Sequence, residues 1–429
     1  MNTQSVTRSW WYRLKKNPLA RLSAFVLATL YVLVIFADFV APYNPLSQQP
    51  SASLLPPTPI YFISQETGNF IGPHVYPTIQ GPIDVETGAQ EIEIDFSRPT
   101  PLRLFVRGDE YRMFPIVIPK WAGISPTTGE IQLEEIEVFK GIPGDRHLFG
   151  TVGPSSPAPA NVEGVVDAGE TAEAAEDAVA QSDEADTEAV ASTPAYFNIL
   201  GTDNQARDVF SRLVYGGRIS LFIGLVGISI AIPLGMLVGG ISGYFGGIVD
   251  SVLMRIVEVI MTIPTLYLLV ALSVVLPPSL SNAERFLLIV VITSAIAWAG
   301  LARVIRGQVL SLRERTFVQA SQSMGGRSWH IITRHILPQT LTYVIISATL
   351  AIPGYIISEA VLSLIGLGIQ QPDPSWGNML SVAMNASILV LNPWLIWPPA
   401  FLVVVTVLCF SLLGDGLRDA LDPRGLSDR

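Results

Sequence analysis

Charge is scarce in this sequence. Of 429 residues only 14% are Asp, Glu, Lys or Arg, against 49% hydrophobic, whereas soluble domains carry about 25% charged residues. The deficit argues against an ordinary soluble protein and points to bilayer spans, where a charge at mid-depth costs about 2.5–3.5 kcal/mol. Cysteine is nearly absent. A single thiol, Cys409, excludes an internal disulfide framework and any Cys-rich metal site, and inside an apolar run it reads as a small buried hydrophobe. The four histidines are His74, His147, His330 and His335. The last two, five apart on an expected helix, should point away from one another. No His-Glu-x-x-His occurs, so zinc hydrolysis has no support. There is no Gly-Lys-Ser/Thr phosphate loop either, so any ATP must be bound by another chain. No metal or cofactor is expected, and no nucleic acid is expected as a partner.

What is present is apolar length. A helix needs about 20 apolar residues to cross the hydrocarbon. Six stretches qualify: Leu22–Val40, Ile219–Gly240, Val252–Val275, Phe286–Ala302, Leu341–Leu364 and Trp394–Leu413. Arg8, Arg13, Lys15, Lys16 and Arg21 precede the first. The positive-inside rule therefore places residues 1–21 in the cytoplasm, and six crossings return the C-terminus there. The arginines after span four (Arg303, Arg306, Arg313, Arg315, Arg327, Arg334) and after span six (Arg418, Arg424, Arg429) agree. A cleaved signal peptide competes for span one, but the apolar core is long and Ala37–Ala41 is a poor cleavage site. The net charge of −10 comes mostly from acids between about residues 60 and 190, which this topology puts outside.

That outer interval is too long for a plain connection. Ile60–Ser64, Glu91–Phe96 and Leu102–Arg107 alternate apolar and polar residues as half-buried strands do, and Gly108-Asp-Glu110 reads as a turn. Phe114–Pro119 and Ile131–Phe139 are candidates for two more strands. Residues 44–150 should form a small β-rich domain. Residues 154–193, rich in Ala, Glu, Asp, Ser and Pro and without an aromatic, read as a disordered acidic linker.

The loop between spans four and five, within 306–338, carries the strongest mechanistic signal. Thr316–Ser323 reads as a short helix beginning at a capping residue. Gly325-Gly326 breaks it, Ser328 can cap a second short helix over Trp329–Ile336, and Pro338 sets the return to the membrane. Ala320 and Ser321 would make a thin surface that another protein can approach, while Gly325 permits a sharp turn. Surface anchoring of an amphipathic hairpin remains the plainer alternative. Gln319-Ala320-Ser321, then Gly325, then Leu337-Pro338 resembles the EAA loop of ABC importer permeases, with Gln319 in place of Glu and Ser321 in place of the second Ala. The resemblance implies that this loop docks on an ATPase subunit.

Other segments narrow the likeness. Arg13–Arg21 with Ala41–Pro45, Leu200–Arg212 continuing to Tyr215–Ser220, Ser358–Gly368 followed by Pro374-Ser-Trp-Gly377, and Leu413–Arg424 are similar to the C-type permease of dipeptide/oligopeptide importers, in its long-insert form. Ala206 stands where that family usually has Gly. The implied fold is an all-α polytopic membrane protein of the type I importer kind, with six transmembrane helices, a β-rich insert between helices 1 and 2, and a permease core over 200–429. The implied partners are a second permease subunit forming a heterodimer, two ATP-binding cassette subunits, an extracytoplasmic solute-binding protein and membrane lipid. The implied location is the bacterial inner membrane, and the implied cargo is peptide, with glutathione and nickel as alternatives.

Polar residues give further candidates. Asp203 can cap a short helix carrying Arg207-Asp208, and with Arg212 that helix should lie at the outer interface. Glu258 in span three is one turn from Arg255 and can simply pair with it. Glu359 in span five has no base one turn away, so it faces either a watery pathway or a hydrogen-bonded helix contact. Pro264, Pro353 and Gly354 should interrupt spans three and five. Two other classes remain: a membrane-anchored sensor or assembly protein, and an intramembrane hydrolase, the latter lacking both its motifs and a Ser-His pair in the spans.

Overall fold

The computed structural model describes residues 12–50, 52–83, 90–113, 116–124, 131–151, 195–275 and 282–421. The expected acidic linker, 154–193, lies outside the described residues. In chain order the helices are α1 (Pro18–Ile35), α2 (Ala37–Val40), α3 (Val209–Phe245), α4 (Gly247–Thr262), α5 (Thr265–Val275), α6 (Asn282–Arg313), α7 (Thr316–Ser323), α8 (Ser328–Leu364), α9 (Trp376–Leu380) and α10 (Trp397–Leu421), with a further short helix, Ala386–Leu391, between the last two. Contacts divide the chain into two units, one of Met1–Ile35, Gly216–Leu389 and Ile396–Arg429, the other of Phe36–Tyr215 and Val390–Leu395.

The first unit is helical. Helices α1, α3, α6, α8 and α10 are each long and apolar enough to cross a bilayer, and α4 with the first part of α5 makes a sixth span if that bent pair counts as one. Its core joins Leu27, Ile223, Leu269, Ile289, Ile352, Tyr355, Ile356 and Phe410. Small residues set one close approach: a Cβ on Gly239 would lie 2.5 Å from the Ala302 carbonyl oxygen, and one on Gly243 2.7 Å from Val309 Cβ. Glycine four residues apart thus lets α3 touch the backbone of α6, as membrane helices require.

The prolines act unequally. The expected interruption at Pro264 is present: Ile263 is extended, as a residue before proline prefers, and α4 and α5 meet at 73°. Pro353 interrupts nothing. Helix α8 runs through Pro353-Gly354 unbroken, because one missing backbone bond is offset by buried Ile352, Tyr355 and Ile356 on the same stretch. The first apolar run also differs from expectation, ending at Ile35 and resuming after Phe36 as α2.

The second unit carries the strands: β1 (Tyr61–Ile63), β2 (Phe70–Val75), β3 (Thr78–Ile83), β4 (Gln90–Ile94), β5 (Thr100–Met113), β6 (Ile116–Ile124), β7 (Ile131–Phe139) and β8 (Ile142–Thr151). They form an antiparallel sheet ordered β1-β2-β5-β8 and two hairpins, β3-β4 and β6-β7. Gly108-Asp-Glu110 is not the expected turn. Strand β5 passes through it, with a register shift against β8 between Arg107 and Tyr111. A Cβ on Gly108 would lie 2.6 Å from the buried His147 ring, so glycine there makes room for the ring within a bulge.

Candidate functional site

The hairpin after α6 is built from a helix stop. Helix α7 covers Thr316–Ser323, the expected span, but no side chain caps it, and Arg315 rather than a capping Thr or Ser precedes it. Its end is a Schellman turn. The Gly325 N–H donates to the Gln322 carbonyl at 2.9 Å and the Gly326 N–H to the Ser321 carbonyl at 2.9 Å, with Gly325 at φ +77°. A Cβ on Gly325 would meet nothing within 4 Å. Glycine is therefore needed for its left-handed backbone, not for space.

The second arm corrects the expectation of two short helices. No side chain of Ser328 caps it, and it is not separate: Ser328 opens α8, which continues to Leu364. Residues Ile331–Ile336 wind as π-helix, with the Leu337 N–H reaching Ile332. Pro338 has no N–H to offer the preceding turn, which fits a wider winding just before it. The same winding brings His330 and His335, expected to diverge, to a 5.5 Å ring separation, since residues five apart share a face in a π-turn.

The hairpin is held by its own chain. Val318, Ile331 and Ile336 are buried with Ile305 and Val309 of α6 and Val344 of α8, and Leu337 packs on the same cluster. Of the residues singled out in sequence, Gln319, Ala320 and Gly325 are exposed. Ser321 is buried beneath Gly326, whose Cβ would come within 2.8 Å of it; it is not on the expected thin surface. Leu337 and Pro338 lie on α8 rather than in the turn. The sequence reading missed the apolar rim of the turn. Phe317, Met324 and Trp329 are 41%, 82% and 56% exposed. The available signal was an exposed-face aromatic and a methionine flanking a glycine pair in an otherwise polar stretch.

The expected outer helix is replaced by a buried ion cluster. Asp203 and Arg207 precede α3, which starts at Val209. Asp203 Oδ1 accepts from the Gln205 and Arg207 backbone N–H groups, and its Oδ2 lies 2.7 Å from Arg207 and 3.4 Å from Arg212. All three residues are buried, so none of them presents its charge to solvent. Asp208, not Asp203, caps α3, accepting from the Ser211 N–H at 2.7 Å. Burial pushes the Asp208 carboxyl up to about 7 against the lowering hydrogen bonds of Ser211. Between Asp203 and Asp208, Ala206 sits at φ +57°, a conformation glycine adopts without strain. Ala206→Gly is expected to raise stability by roughly 0.5–1 kcal/mol, read as a higher melting temperature; an unchanged or lower value contradicts the strain.

Glu359 is enclosed. It is 0% exposed and accepts from Ser363 at 2.7 Å, Ser375 at 2.8 Å and Ser220 at 3.3 Å. Each hydroxyl in turn accepts a backbone N–H, from Ile369, Asn378 and Trp376 respectively. One carboxylate thereby ties α3, α8 and the loop into α9. The glycines follow: a Cβ on Gly377 would lie 2.6 Å from Ala360 Cα, and one on Gly368 2.2 Å from Ser363 Oγ. Of the two alternatives for Glu359, the geometry is that of a hydrogen-bonded helix contact. Glu258, by contrast, is exposed and pairs with Arg255 at 3.2 Å.

Residues 231–425 match the family of binding-protein-dependent transport system inner membrane components, and residues 5–57 match the N-terminal transmembrane domain of oligopeptide transport permease C. The oligopeptide transport system permease protein OppC of Haemophilus influenzae is 41% identical over 228 residues, 53% of this chain and 71% of that protein. The dipeptide transport system permease protein DppC of Bacillus subtilis is 41% identical over 231 residues, covering 54% of this chain and 70% of that one. The oligopeptide permease OppC of Bacillus subtilis is 38% identical over 231 residues, 54% and 73% of the two chains. With its multiple apolar helices and β-containing insert, the chain belongs to the binding-protein-dependent ABC transport permeases, as a multi-pass membrane subunit of the dipeptide/oligopeptide C type.

Proposed function

We propose that this subunit forms half of the pathway by which di- and oligopeptides enter a bacterial cell across the inner membrane. The other half is a second permease subunit. An extracytoplasmic binding protein delivers the peptide, and two ATP-binding cassette subunits hydrolyse ATP, this chain performing no chemistry itself. Both termini and the 316–338 hairpin face the cytoplasm, and the β-rich unit faces outside.

One observation carries the coupling role: an apolar rim of Phe317, Met324 and Trp329 surrounds a left-handed glycine on a hairpin clamped to α6 and α8. Exposed apolar side chains on a rigid support suit a protein partner, which gains their burial without ordering a loop. Because α7 leads into α8 through one packed cluster, a push on the turn is transmitted to a spanning helix. Gln319, whose amide reaches the Glu314 carbonyl at 3.3 Å, supplies polar contact, not an ion pair. The test is uptake of labelled di- and tripeptides by cells with and without this gene, together with purification through this subunit. Loss of peptide uptake and recovery of an ATPase pair support the proposal; unchanged uptake of every peptide, or a purified assembly without ATPase subunits, overturns it.

A further inference from the structure

Helix α4 has three faces. One packs: Val257 is buried with Ala299 and Ala302, Met254 and Ile260 flank it, and Asp250 binds Arg306 and Ser242. A second is apolar and exposed, Val252, Ile256 and Val259. The third, at the same spacing one residue earlier, is polar and exposed: Ser251, Arg255, Glu258 and Thr262. Positions i, i+4, i+7 and i+11 fall on one side of a helix, so the two stripes run side by side.

Hydrocarbon suits the apolar stripe and not the polar one. The Arg255 and Glu258 side chains are 79% and 50% exposed, and an ionisable pair on a spanning helix must face water or protein. Glu258 lies roughly 16 Å along the axis from Gly247 at about 1.5 Å per residue, beyond the reach of a glutamate side chain back to that end. The pair is neutral as a whole, joined by a contact of 3.2 Å. A ligand carrying both signs, such as a peptide with its free ammonium and carboxylate, can exchange with such a pair without leaving either charge bare.

Resting on the peptide-import reading, we infer that the Ser251–Arg255–Glu258–Thr262 stripe lines the peptide's route and lends its ion pair to the peptide's charged termini. The test uses the complete transporter in vesicles, with Cys409 replaced by Ala and single cysteines placed by Ser251→Cys, Thr262→Cys, Val252→Cys and Val259→Cys. A hydrophilic thiol reagent should modify the first two at least tenfold faster than the last two. A free tripeptide with binding protein and ATP should slow that labelling severalfold, and the same tripeptide acetylated and amidated at its ends should not. Equal rates on both stripes, or labelling indifferent to the free peptide in vesicles that take it up, overturns the inference alone. Failure of the unaltered transporter to take up any peptide overturns the function on which it rests.

Discussion

Gly325→Glu should reduce peptide uptake at least tenfold while leaving insertion and abundance unchanged. Two effects combine. A non-glycine residue at φ +77° costs about 1–2 kcal/mol in backbone strain, enough to shift the turn but not to unfold helices packed elsewhere. The new carboxylate then projects into open space among Phe317, Met324 and Trp329, where burial by a partner leaves a charge uncompensated. The measurements are uptake, membrane abundance and ATPase stimulation in the reconstituted assembly. Gly325→Asn, whose side chain tolerates a left-handed backbone, should keep much of the uptake, which separates turn geometry from surface chemistry. Normal uptake by an inserted Gly325→Glu protein contradicts the docking role.

Glu359→Ala is expected to be the most destabilising single change. It leaves a cavity in a packed site and removes the acceptor of three hydroxyls. Hydrogen bonds contribute about 0.5–1.5 kcal/mol each, the hydroxyls can partly re-pair by rotating, and the cavity adds its own cost, so a net loss of about 3–5 kcal/mol follows. The melting temperature in detergent should fall by several degrees, with uptake lost alongside. Glu359→Gln keeps the shape and one acceptor oxygen, and should retain most of the uptake at a smaller loss of stability. The opposite pattern, normal melting with uptake abolished by Glu359→Gln, would mark Glu359 as a contact for the moving peptide and refute the packing role.

Much of this was legible in the sequence where one local rule dominates. The end of α7 follows from Gly325-Gly326, and the break at Pro264 from proline chemistry. The rest depends on tertiary context. Asp203, Arg207 and Arg212 read as surface charges because burial of ions is rare unless they pair, and the pairing joins residues on either side of a turn. The π-turn before Pro338 gave no periodic signal, so His330 and His335 were read on an α-helical wheel. Strands β2, β3 and β8 were missed because Gly72-Pro73, Gly81-Pro82 and Pro143-Gly144 interrupt them, residues that normally end a strand. The serine cage of Glu359 was half visible: no base stands one turn away in the sequence, which leaves a hydrogen-bonded contact as one of two readings, but Ser220 and Ser375 lie 139 and 16 residues away.

The central claim is that the turn at Gly325 is held from the cytoplasm by the ATPase subunits. A cysteine at Met324, the most exposed apolar residue of the rim at 82%, tests it most directly. With Cys409 removed, a short bifunctional reagent should join Met324→Cys to an ATPase subunit in inside-out vesicles, with a yield that changes when ATP is added. Modification of that cysteine by an impermeant reagent applied to intact cells, or a correctly assembled complex that forms no such link, contradicts it.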